Sequence, residues 1–144
     1  MNRTINRFYN GKGKASDELR VITMAYSKLL EETERLTDYL NEINNQFEKV
    51  KSAGNHPDFY TEVQPFANEV HAFVEQWLKE AVNWLNREQV NHLYPFQLQA
   101  TAENIKEIAV QCFYPETSYS RFKHTVKSVH YVLEKVLEGL KKGS

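Results

Sequence analysis

From residue 17 to residue 53 apolar side chains recur at steps of three and four: Ile22, Tyr26, Leu29, Thr33, Leu36, Leu40, Ile43, Phe47 and Val50. Thr33 is the one clearly polar member of the series, and neither Gly nor Pro interrupts it. The spacing predicts a single helix of roughly 50 Å. Ser16, with Asp17 and Glu18 behind it, supplies a cap acceptor and acids at the positive end of the helix dipole. Ala53-Gly54-Asn55 is a stop signal, and His56-Pro57-Asp58 makes the turn. A second segment, 58–87, carries a wider apolar set that includes Val63, Phe66, Val70, Phe73, Val74, Trp77, Leu78, Ala81, Trp84 and Leu85. It should pack most deeply. Pro65 within it predicts either a kink or a new start capped from Thr61 with Gln64. Pro95 suits the first turn of a third helix, in which Leu98, Ala102, Ile105, Ala109 and Cys112 line one side as far as Phe113. After a turn at 114–118, capped by Thr117 or Ser118, a fourth helix aligns Tyr119, Phe122, Val126, Val129, Leu133, Val136 and Leu140.

No stretch alternates with the period of a strand, and no Gly falls between Asn55 and Glu138. The fold class expected is therefore all-α: a four-helix, up-down-up-down antiparallel bundle with left-handed crossings of about 20° and a long first helix. The protruding end of that helix needs a cover. Charge fits the circuit. Segment 17–52 holds five basic and eight acidic residues, whereas 118–142 holds six basic and two acidic ones. The row Lys123, Lys127, His130 is accordingly expected to face an acidic first helix. Glu31 and Arg35 are spaced for a surface ion pair, and Glu32, Glu34, Asp38 and Glu42 fall on a solvated face.

The chain of 144 residues, 41% hydrophobic and 26% charged, fits one domain over 17–144. Residues 1–16 bring Arg3, Arg7, Lys12 and Lys14 without an acid and read as a flexible basic arm. One cysteine, Cys112, rules out an internal disulfide. With no apolar run long enough for a bilayer and a polar start, a cytoplasmic protein without membrane insertion is expected. A net charge of −1 provides no overall attraction to nucleic acid, so any such association would run through the arm.

Four-helix bundles often hold two metal ions between inward carboxylates and Glu-x-x-His pairs. The residues three before each histidine are Ala53, Asn68, Gln89, Arg121 and Lys127, none of them acidic. A site of scattered histidines would need His71 to meet His124 or His130, and those two, six apart, lie on different faces. Cys112 falls on the core face, and Ser118 and Ser120 near His124 lack an acidic orienting group. No cofactor and no catalytic residue follow. Trp77 and Trp84, seven apart, form a core stripe or, if left open, a groove.

Phe113-Tyr114-Pro115-Glu116-Thr117-Ser118, Arg121-Phe122, Ser128-Val129-His130-Tyr131-Val132-Leu133 and Gln99-Ala100-Thr101-Ala102-Glu103-Asn104 resemble the YppE-like family of small helical proteins. The resemblance covers 17–140 and implies a bacterial cytoplasmic four-helical bundle of unknown function, with no site residues to carry over. The functional expectation is a non-enzymatic interaction or regulatory module that meets a protein partner or a second copy of itself. The candidate surface is His71, Trp77, Trp84, Arg121, His124, His130 and Tyr131. The alternatives are a small-molecule or metal-binding bundle with a histidine and aromatic pocket, and nucleic-acid association through the arm.

Overall fold

The computed structural model describes residues 13–142, and among these there is no strand. Four α-helices make the fold: α1 (Gly13–Ala53), α2 (Gln64–Glu88), α3 (Pro95–Gln111) and α4 (Tyr119–Lys142). A five-residue π-helical turn, Phe59–Val63, leads into α2. At 41 residues α1 is about 60 Å long, far beyond the 25 residues of α2 or the 24 of α4. It starts at Gly13, so Ser16 lies within the helix rather than capping it. Residues 1–12, most of the expected arm, lie outside the described residues. Gly54 ends α1 in the left-handed conformation at φ +75°, its N–H donating to the Val50 carbonyl at 2.8 Å.

The conflict at Pro65 is resolved by a change of helical pitch. The Val63 N–H donates to the Asp58 carbonyl, five residues back, at 3.2 Å, and the Gln64 N–H to that of Phe59. This wider turn shifts the carbonyls that a proline ring would strike in a regular α-helix. Pro65 then occupies the first turn of a helix starting at Gln64. The cap comes from Asp58 and not from Thr61: the Thr61 N–H and Oγ1 both donate to Asp58 Oδ2 at 2.9 Å, while Asp58 N–H donates to Glu62 Oε2 at 3.1 Å. The turn between α2 and α3 contains two left-handed residues, Gln89 (φ 46°) and His92 (φ 63°). Pro95 opens α3 as the spacing predicts.

Four pairs fix α1 against α2: Tyr26 with Glu88, Lys28 with Glu80, Thr33 with Trp77, and Tyr39 with Glu69. They climb one helix while descending the other. Near the far end of α1, Phe47 stacks on Phe122 of α4 with ring centroids 3.9 Å apart. The remaining helix, α3, lies against α2 and α4, with Phe113 just past its end edge-on to Phe66. One continuous apolar core results, filled by fully buried side chains such as Phe47, Val70, Trp77, Leu98, Phe122 and Leu133. Among the described residues no helix is long and apolar enough to cross a membrane.

Candidate functional site

The α1/α2 seam holds the charged groups that depart most from the pattern of the sequence. Glu34, Asp38 and Glu42 are exposed as expected, but Glu32 is turned toward α2 and is only 9% exposed. It lies one helical turn before Leu36 and two before Tyr39, and the approach of α2 along this flank buries all three. Across from it is Glu80. Glu32 Oε1 and Glu80 Oε2 are both buried without a hydrogen-bond partner, and Lys28 Nζ stands 3.3 Å from Glu80 Oε1. Burial, followed by the hydrogen bond and charge of Glu80, pushes Glu32 up to about 7. Burial also acts to raise Glu80, but the hydrogen bonds from Glu32 and Lys28 outweigh it and hold that carboxyl below its ordinary value. Of the two carboxyls, Glu32 is therefore the one that keeps a proton more readily.

The neighbouring polar contacts close the seam on either side. Trp77 Nε1–H donates to Thr33 Oγ1 at 3.0 Å, and that hydroxyl donates to the Leu29 carbonyl at 2.7 Å. Tyr26 donates to Glu88 Oε2 at 2.6 Å, and burial followed by this bond raises its phenol above the ordinary tyrosine range. Tyr39 donates to Glu69 Oε2 at 2.6 Å. Arg35 stacks 3.9 Å over the Tyr39 ring of its own helix and comes within 4.0 Å of Glu69 of α2, rather than pairing with Glu31.

The seven residues singled out in the sequence do not converge. Trp77 and Trp84 belong to the core, and the Trp84 ring lies so close to Gly139 of α4 that no groove opens along the stripe. His71 is half-buried with Nε2 3.1 Å from the Lys106 carbonyl of α3. Among the described residues, no three His, Cys, Asp or Glu side chains are grouped to hold a metal ion. Arg121, His124, His130 and Tyr131 are exposed on α4 together with Lys127. His130 pairs with Glu134 of its own helix at 3.5 Å, and Lys135 stands over the Tyr131 ring at 5.4 Å. Of the row expected to face α1, Lys123 alone is seen to do so, bonding Asn44 at 2.7 Å and pairing with Glu48. No acid among the described residues pairs with Arg121, His124 or Lys127. Cys112 is buried with its thiol pushed up to about 12 by that burial, which makes it a poor nucleophile.

Sequence reasoning missed the Glu32–Glu80 pair. The available signal was positional: Glu80 follows Trp77 by three and precedes Trp84 by four, and Glu32 adjoins Thr33 at the edge of the apolar stripe. Apolar residues do remain open at the α1 start and the α2–α3 turn, with Val21 and Met24 each 65% exposed and Tyr94 stacked on Phe96 at 5.9 Å.

Comparison with known proteins places this bundle among others like it. Residues 33–140 match the model of a bacterial domain of unknown function, DUF1798. The uncharacterized protein YppE of Bacillus subtilis is 23% identical over 113 residues, a match spanning 78% of this chain and 92% of that protein. The YppE crystal structure superposes with a TM-score of 0.77, covering 81% of this chain and 94% of that one. A Listeria innocua protein of unknown function reaches a TM-score of 0.80 at 26% identity, covering 83% of this chain and 96% of its own. The Staphylococcus aureus structure of a DUF1798 domain gives 0.74 at 25% identity, covering 79% and 96% respectively.

Proposed function

We propose, for a chain that belongs to the bacterial family of unknown function DUF1798, that it is a non-enzymatic, cytoplasmic interaction module whose α4 receives an acidic segment of a protein partner. The observation that carries this reading is the contrast along α4. Lys123 is neutralised by Glu48, whereas Arg121, His124 and Lys127 stand exposed with no acid paired to them among the described residues, and the Tyr131 ring is 55% exposed on the same helix. Guanidinium, ammonium and an exposed phenol ring suit carboxylates and the apolar stems between them. Exposed charges of this kind steer association and set its salt dependence more than they add affinity.

The test is affinity capture from lysate of the source cell with the wild-type chain and with an Arg121→Glu/Lys127→Glu variant, at low and high salt. A partner held by wild type at low salt, and lost both at high salt and with the variant, supports the reading. A partner held equally by both chains moves the surface elsewhere.

A further inference from the structure

We propose that Glu32 and Glu80 form a one-proton latch between α1 and α2, and that loss of this proton loosens the N-terminal half of α1 while the remainder of the bundle stays folded. The inference rests on the seam and is independent of the reading of α4. The two carboxyl groups come from facing helices, one of them is nine-tenths buried, and each leaves a buried oxygen without a partner. With both ionised, two negative charges would meet in a site where desolvation is costly. A proton on Glu32 turns the same contact into a charge-assisted hydrogen bond to Glu80. The groups bearing on the pair all lie on this seam: Lys28 from α1, and Gln76 beside Glu80 on α2. Lys28 is one positive charge against two negative ones, and it is already bonded to Glu80.

The position of the latch decides what it releases. Beyond it, toward the C-terminal end of α1, the helix is held by Thr33–Trp77, Tyr39–Glu69 and Phe47–Phe122. On the other side only Ile22 and Leu29 are fully buried among the described residues before Glu32, with Tyr26 and Leu30 partly buried against the core and Tyr26 bonded to Glu88, while Val21 and Met24 face outward. A segment with so little buried apolar surface opens at low cost once an interaction at its root is removed. The sign follows from the raised carboxyl of Glu32. The closed seam binds the proton more tightly than the open one, so stability falls as pH rises from the ordinary carboxylate range to about 7, and the full penalty applies above it.

Amide hydrogen exchange of the full chain, corrected for intrinsic rates, at about pH 6 and about pH 8.5, reads the latch directly. Protection over 19–31 should fall on the order of tenfold at the higher pH, with 36–50 unchanged. In Glu32→Gln, whose amide can donate to Glu80 without titrating, protection over 19–31 should be the same at both pH values. Carbon NMR of the Glu32 side-chain carboxyl provides a second readout that needs no variant, with a midpoint near neutrality expected. Equal protection of the wild type at both pH values, the same pH-dependent loss in Glu32→Gln, or an ordinary acidic midpoint for Glu32 would each overturn the proposal.

Discussion

Gly139 of α4 sits where Trp84 leaves no room for a side chain: a Cβ there would stand 2.8 Å from Cη2 and 2.9 Å from Cζ2 of the indole. Trp84 is itself in the core and has nowhere to retreat. Gly139→Ala should gain about 1 kcal/mol in helix propensity yet lose more to overpacking, for a net destabilisation of roughly 1–2 kcal/mol in urea unfolding. At Thr33 the issue is polarity instead of volume. Its hydroxyl is the acceptor for the buried Trp77 N–H, so Thr33→Val should cost about 1–3 kcal/mol, and Thr33→Ser, which keeps the oxygen, should recover much of it. A larger loss in Thr33→Ser than in Thr33→Val would assign the effect to the methyl group, which valine keeps and serine lacks. Thr33 was legible as the polar break in an apolar stripe. Its purpose was not, because the indole it serves is 44 residues away. Glu32 and Glu80 were hidden for the same reason. Each flanks an apolar stripe as solvated carboxylates commonly do, and only the approach of the other helix removes its water.

Helix interiors follow from periodicity, whereas their ends answer to particular hydrogen bonds. Ser118 behaves at the start of α4 as the sequence suggests, its Oγ accepting from the Arg121 N–H at 3.4 Å. At the other junction Asp58, read as part of a turn, organises the entire π-helical entry to α2. The Thr61 backbone and hydroxyl bonds hold the Asp58 carboxyl below its ordinary value. Its contribution is therefore present above the ordinary aspartate range and is lost as pH falls through the lowered value. Asp58→Ala should speed hydrogen exchange at the Thr61 and Glu62 amides while leaving the middle of α2 protected. Unchanged exchange at Thr61 would mean that the backbone bonds of the π turn suffice alone. Pro65 was recognised as a difficulty in the sequence, but the remedy, one turn of wider pitch, requires Asp58, Phe59, Val63 and Gln64 in register together.

At the scale of the whole molecule a single core joins all four helices, and both tryptophans lie within it. Unfolding at about pH 6, where Glu32 holds its proton, should give coincident midpoints by tryptophan fluorescence and far-UV circular dichroism. Separated midpoints would reveal a helix that melts apart from the core. The all-α class, the count of four helices, a first helix longer than the rest and most of the core residues were legible in the chain alone, since a period of three and four is a local property that a helix either satisfies or does not. The same local logic placed Cys112 on an inward face, but it left Trp77 and Trp84 as either a core stripe or a groove, and the fold buries both. Which polar side chains would meet was decided only by tertiary structure: Glu32 with Glu80, Thr33 with Trp77, Arg35 with Tyr39 and Glu69, and Lys123 with Glu48, leaving Arg121, His124 and Lys127 without an acid among the described residues. Periodicity tells which side of a helix faces inward; the choice of neighbour on that side, and the water it displaces, depends on the relative height and rotation of two helices distant in sequence.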